Sequence, residues 1–230
     1  IIKKKFWCNL MNKELKKRII TSTFLLILLC LMFFYTYVLI ISLILIALIS
    51  WIEFYGLISK IFKKEDKTSK ILRFIYKAAS LFYLTILIYL IISTSIISAQ
   101  YKILIIYPIL ISIMSDIGGL VIGKIFKGKK LTKISPKKTI SGSIGSFIFS
   151  IFLIPFFINY LPEQNLSSLL LITMFISLIS QLGDLFISLL KRIAKVKDTS
   201  DLLPGHGGVL DRIDGIIFSI PFGFLVLSYL

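Results

Sequence analysis

Between Ile19 and Ser59 the chain carries one charged residue, Glu53. A helix needs roughly 20 apolar residues to cross the hydrocarbon layer, so this run is about twice the length of one span. It reads as two helices turning near Tyr35 to Tyr37. A mean hydropathy of +0.95 extends the same constraint to the whole chain and excludes a water-soluble core-and-surface design. Further spans are predicted at about 74–98, 103–122, 141–160, 167–190 and from about 211 to the end. The expected fold is an all-α integral membrane protein of about seven transmembrane helices.

The charges follow the same division. Of 27 Lys and Arg, seven precede Ile19, six lie in 60–73, seven in 124–138 and five in 191–212, leaving only Lys77 and Lys102. Alternating spans place those four groups on one side, which the positive-inside rule makes the cytosol, with the N-terminus on it. The loop at 158–168 carries no basic residue. The expected organisation is a basic cytosolic arm, 1–18, and a single polytopic domain, 19–230.

A net charge of +16 could otherwise indicate nucleic acid. Here the basic residues are dispersed over loops hemmed by apolar spans, without an aromatic platform for bases, and no nucleic-acid partner is expected. A cleaved signal peptide is disfavoured because the first apolar stretch is too long and lacks a small-residue cleavage site. Cys8 and Cys30 have neither metal-ligand spacing nor an evident partner.

Ionisable residues within apolar spans are costly and are functional candidates by default. Glu53, Asp116 and Asp184 lie seven, eight and seven residues before Lys60, Lys124 and Lys191. At 1.5 Å per residue each lies about 10 to 12 Å in from the basic edge. Glu53, beside Trp51 and Tyr55, has a structural alternative, a bond to a loop lysine or a neighbouring helix. Asp116 precedes Gly118 and Gly119, which equally permit close helix packing. Asp184 shares one helical stripe with Ser180, Ser188 and Lys191, at i, i+4, i+8 and i+11, hard to reconcile with a lipid-facing surface.

Two loops have phosphate-binding chemistry. Gly123 and Gly128-Lys129 reproduce P-loop spacing, but Lys130 replaces the magnesium-binding hydroxyl and no strand precedes it, so that match fails. Ser135-Pro136-Lys137-Lys138-Thr139 is more informative, because it leads into a helix that Thr139 or Ser141 can cap. Free N–H groups, the dipole and adjacent lysines would form an anion site, with ordinary positive-inside flanking as the alternative. In 191–214, Lys191, Arg192, Lys195, Lys197 and Arg212 are interleaved with Gly205, Gly207 and Gly208. Asp198, Asp201, Asp211 and Asp214 add the hard oxygen donors that magnesium uses beside phosphates. His206, the only histidine, is weak evidence alone. The final helix is expected to begin at Asp211, because the 15 residues after Gly215 span only about 22 Å.

Ser188-x-Leu190-Lys191-Arg192, then Lys197-Asp198, then Leu203-Pro204-Gly205-His206-Gly207-Gly208-Val209-x-Asp211-Arg212-Ile213-Asp214 resembles the signature of the phosphatidate cytidylyltransferases. The upstream Ser180 to Leu185 and the Asp116 to Gly145 segment resemble the same family, so the similarity covers roughly the C-terminal half and centres on 180–214. Ser141 departs from the pattern, standing where an acid or amide is expected before the glycine.

The topology suits a bacterial plasma membrane, and the resemblance implies a multi-helix membrane enzyme that transfers CMP from CTP to phosphatidic acid, giving CDP-diacylglycerol and pyrophosphate. It implies a homodimer in membrane lipid and a cytosol-facing site holding Mg2+, with a second cation as a further candidate. Carried onto this chain, Asp184 and Asp211 are the expected metal ligands, with Asp214 and Asp116 next. Lys191 joins Asp184 and Asp211 as a catalytic candidate. Ser135, Lys137, Lys138, Thr139, Ser188, Arg192, Lys197, Asp198, His206, Gly207, Gly208 and Arg212 are the candidate substrate contacts.

An anion transporter would also use intramembrane acids and helix-end anion sites, but paired short helices of an inverted repeat are missing. A CTP-dependent lipid kinase is the other alternative. A CDP-alcohol phosphotransferase is disfavoured because Asp214-Gly215 is followed by Ile216-Ile217-Phe218-Ser219 rather than that class's motif.

Overall fold

A computed structural model describes residues 2–63, 66–97, 102–161, 165–203, 205 and 207–228, with backbone alone at 2–14, 17–18 and 95–97. The described chain is helical, with isolated β-bridges at Lys130–Thr139 and Leu203–Gly207 as its only extended pairing. The helices are α1 (Ile2–Phe34), α2 (Thr36–Ile61), α3 (Lys67–Ile97), α4 (Ile103–Phe126), α5 (Ile140–Ile151), α6 (Ile154–Phe157), α7 (Leu166–Ile193) and α8 (Leu210–Ser228).

The long apolar run divides where expected. Tyr35 adopts extended geometry, φ −114° and ψ 112°, and separates α1 from α2. The backbone of α1 passes without interruption from the basic segment into the apolar one. The expected span at 141–160 is present as Ile140–Phe157, with a turn at Phe152 and Leu153 between α5, which ends at Ile151, and the short α6, whose first turn holds Pro155. A proline lacks the N–H that a continuing helix would need and fits a helix start instead. The last helix begins at Leu210, one residue before the expected Asp211.

Among the described residues, five segments are long and apolar enough to cross a membrane: Thr36–Ile61, Lys67–Thr94, Ile103–Phe126, Ile140–Phe157 and Leu166–Ile193. The apolar part of α1, Ile19–Phe34, is shorter. In α8, Asp211, Arg212 and Asp214 occupy the first turns, so its apolar stretch is also shorter than its length suggests. The outer faces carry exposed Phe24, Phe34, Phe74, Phe82, Phe152 and Leu171, the surface an apolar solvent requires.

Close backbone approach assembles the site-bearing half. A Cβ at Gly118 would collide with the Gly145 carbonyl and Phe149, and one at Gly145 with Ile122 and the Gly118 carbonyl, so α4 and α5 touch through glycine. Small residues also join α7 to α8: a Cβ at Gly215 would strike Ser180 Oγ, and one at Gly183 would strike Phe218. Membrane helices gain contact this way because lipid leaves little hydrophobic drive between them. Hydroxyls fill the seam. Ser112 bonds Ser180 at 2.6 Å, Ser150 donates to Ser177 at 3.1 Å, and Ser177 donates to Ser115 at 3.2 Å.

Gly145→Val is expected to destabilise the detergent-solubilised protein by about 1–3 kcal/mol through overpacking. Gly56, with nothing within 4 Å of its would-be Cβ, is the control. Gly56→Ala should be neutral or slightly stabilising in the same thermal-unfolding measurement, because alanine is the better helix former.

Candidate active site

A cavity of about 410 Å³ opens between α4, α5, α7, the start of α8 and the 127–139 loop. The loop is folded back on itself. Leu131 N–H donates to the Lys138 carbonyl at 2.8 Å and Lys138 N–H to the Ser135 carbonyl at 3.0 Å, closing a turn with Pro136 in its second position. Proline is favoured there because its φ is already set. Thr139 then caps α5, its hydroxyl accepting from Gly142 N–H at 3.1 Å. The turn thus directs Ser135, Lys137, Lys138 and Thr139 into the cavity wall.

The opposite wall comes from three helices. Asp116 of α4, Asp184 of α7 and Asp214 of α8 all line the cavity and lie near enough for their charges to act on one another. The Gly183–Asp214 backbone contact accounts for the approach of the last two. Asp184 pairs with Lys138 and accepts from Ser188 Oγ, its neighbour on the predicted stripe, at 3.2 Å. At its end, Lys191 Nζ donates to Asp211 Oδ1 at 2.7 Å. Asp211 Oδ2 accepts from Thr199 N–H at 2.7 Å, Thr199 Oγ1 at 2.9 Å and Gly208 N–H at 3.0 Å.

Asp116, Asp184, Asp211, Asp214, Lys191, Ser135, Lys137, Lys138, Thr139 and Arg212 therefore meet at one cavity. Ser188 touches that group only through Asp184. Arg192, Lys197 and Asp198 are exposed away from it. Gly207 and Gly208 also stand outside: a Cβ on either would press against Asp198 and Asp211, or against Thr199 and Glu53. His206 lies outside the described residues.

Residues that the sequence did not single out complete the site. Gln181 and Ser143 line the cavity, and Ser143 Oγ donates to Gln181 Oε1 at 2.5 Å. Gln181 lies one turn from Asp184 on the same face, a spacing that would have pointed to it. Thr199 had no such signal, because its partners are set by the path of the loop.

Three carboxylates offer the all-oxygen donor set that magnesium prefers. Asp116, Asp184 and Asp214 suit that ion in chemistry, although among the described residues no three acid, His or Cys side chains are drawn together around one point. Lys138 and Lys191 instead neutralise Asp184 and Asp211.

A model of the cytidylyltransferase family matches residues 5–230. The phosphatidate cytidylyltransferase of Bacillus subtilis is 43% identical over 117 residues, which is 50% of this chain and 43% of that protein. That of Rickettsia conorii is 42% identical over 117 residues, 47% of this chain and 50% of its own length. The Staphylococcus haemolyticus protein of the same name is 42% identical over 120 residues, 51% of this chain and 46% of that one. These alignments thus span about half the length of each curated relative. With the family model matching nearly from end to end, the chain belongs to the cytidylyltransferase family.

Proposed function

We propose that the protein transfers CMP from CTP to phosphatidic acid, releasing pyrophosphate and forming CDP-diacylglycerol. The observation that carries this reading is the pairing of Lys138 with Asp184 and Lys191 with Asp211 at one cavity. Each pair can exchange partners, an ammonium turning to a phosphate and the freed carboxylate to a divalent cation, with the total charge kept balanced.

In the reaction, a phosphatidate oxygen forms a bond to the α-phosphorus of CTP as the bond to the bridging β-phosphate oxygen breaks. The attacking phosphomonoester has a second pKa near 6, so it is already dianionic at neutral pH and needs no strong general base. Lys138, Lys191 and Arg212 offset charge gathering on the departing pyrophosphate. The Thr139-capped start of α5 orients the loop that presents Lys138. Asp184, with Asp214 and Asp116, would hold Mg2+, and Asp211 would reach it on release from Lys191. Bound there, the ion would polarise the phosphoryl oxygens. A second cation belongs to the same reading.

The same proposal sets the protein in a bacterial plasma membrane with seven spans, adding the apolar part of α1 and α8 to the five long segments. The N-terminus and the cavity mouth then face the cytosol. The mouth's origin in the lysine-rich 127–139 loop supports that orientation. A homodimer is part of the reading through the family resemblance.

Purified protein supplied with phosphatidate, Mg2+ and CTP labelled at the α-phosphate should place the label in CDP-lipid, with one pyrophosphate released per turnover. Label from the γ-phosphate in the lipid would instead identify a kinase, and anion uptake into proteoliposomes without nucleotide turnover a transporter. Chelation should stop product formation and added Mg2+ restore it. Asp184→Asn and Asp211→Asn are each expected to lower kcat by about 100-fold or more, the scale of losing an electrostatic contact in the transition state. Both variants should still elute from size exclusion as wild type does. Lys138→Met and Lys191→Met should raise the KM for CTP; a rise confined to the KM for phosphatidate would assign these lysines to the lipid head group.

A further inference from the structure

Glu53 stands apart from the cavity, on α2, yet four hydrogen bonds converge on its carboxylate. It is 5% exposed. Its Oε1 accepts from Ser200 Oγ at 2.6 Å and from Val209 N–H at 3.0 Å. Its Oε2 accepts from Thr199 Oγ1 at 2.8 Å and from Leu210 N–H at 2.8 Å. No Lys or Arg forms an ion pair with it among the described residues. A carboxylate at that depth is tolerable because donors surround it, and every one of these donors belongs to the 199–210 segment.

Two of the four bonds go to backbone N–H groups where α8 begins, which have no partner within the helix. Glu53 therefore serves as a cap supplied from another helix, 157 residues away from Leu210 in sequence. The Thr199 hydroxyl ties this cap to the cavity. It lies 2.8 Å from Glu53 Oε2 and 2.9 Å from Asp211 Oδ2. Its single proton serves one carboxylate at a time, so the two acids share one small group. The adjacent glycines fit the same arrangement: a Cβ on Gly208 would overlap both Thr199 Oγ1 and the Glu53 carboxylate, and Gly207 holds φ at +82° against Asp211.

We propose that Glu53 is a positioning residue for the cytidylyl transfer, acting through Thr199 and the first turn of α8 to fix Asp211, and with it Lys191, at the cavity wall. This rests on the function proposed above. Glu53 touches neither substrate, so its loss should alter how often the assembled site is productive rather than how well substrate binds.

The test compares Glu53→Gln, Thr199→Val and Thr199→Ser with the wild-type full chain in detergent–lipid micelles. Glu53→Gln keeps the shape but turns an N–H2 toward groups that are themselves donors, and Thr199→Val removes the shared hydroxyl. Each should lower kcat by about 10- to 100-fold, the range for residues that orient a ligand of the reacting centre, while both KM values stay within about threefold. Thr199→Ser, which keeps the hydroxyl, should restore kcat. Without substrates, acetylation of Lys191 should be faster in Glu53→Gln than in wild type, measured by mass spectrometry against Lys138 as internal reference. Unchanged kcat in both Glu53→Gln and Thr199→Val, a loss residing in KM, or Thr199→Ser as impaired as Thr199→Val would overturn the proposal. Should the wild-type chain form no CDP-lipid, the proposed activity fails; Lys191 acetylation unchanged by Glu53→Gln then overturns the positioning role separately.

Discussion

Placing an acid among apolar helices removes it from water at a cost of several kcal/mol unless donors or cations replace the lost hydration. Much of the molecule's design answers that requirement. Glu53 is met by four donors from the 199–210 segment, Asp211 by three donors and Lys191, and Asp184 by Lys138 and Ser188. The loops at 127–139 and 194–209 are therefore more than connections, since they carry the partners that make acidic side chains tolerable within the bundle. The glycine contacts between α4 and α5 and between α7 and α8 serve the same end by bringing the acid-bearing helices close together.

Electrostatic crowding follows. Asp116, Asp184 and Asp214 share one cavity wall, and the cations that oppose them, Lys138, Lys191 and Arg212, are also phosphate ligands by chemistry. Like charges at close range are a strained arrangement that specific partners must hold in place. On the proposed function, a site built this way would respond to a polyanion and a divalent cation together more readily than to either alone, because accepting one without the other would strand a charge. This gives the family membership a physical basis in the chain's own residues.

What was legible in the sequence divides along the distance between interacting residues. Local patterns held: the break at Tyr35, the start of the last helix within one residue of Asp211, and the Ser180–Asp184–Ser188–Lys191 stripe, whose spacing is that of a single helical face. Thr139 as a cap could be read from its type and position. Long-range partnerships could not. Nothing near Glu53 reveals that its donors are Thr199, Ser200, Val209 and Leu210; from sequence it is a functional candidate, with a bond to a loop lysine or a neighbouring helix as the structural alternative. Gly207 and Gly208 look from sequence like room for a phosphate, whereas the structure uses that room for carboxylates of the chain itself. The single run at 141–160 hid a local turn at Phe152 and Leu153, because the apolar pattern continues through Pro155 while the helical bonding tightens to i→i−3 there, as in Leu153 N–H to the Ser150 carbonyl.

The charged start of α8 bears on the order in which the chain is built. A helix opening with Asp211, Arg212 and Asp214 partitions poorly into lipid on its own, since each such residue near a helix centre carries an apparent insertion penalty of about 2.5–3.5 kcal/mol, less toward an end. Its counterparts, Glu53 on α2 and Lys191 on α7, are synthesised earlier. On the proposed seven-span topology, α8 would thus enter a membrane in which its capping acid and its pairing cation already stand. Emerging from the ribosome, α8 would then complete a half-formed polar interior rather than cross bare hydrocarbon, so that assembly of the site and insertion of this helix would become one event.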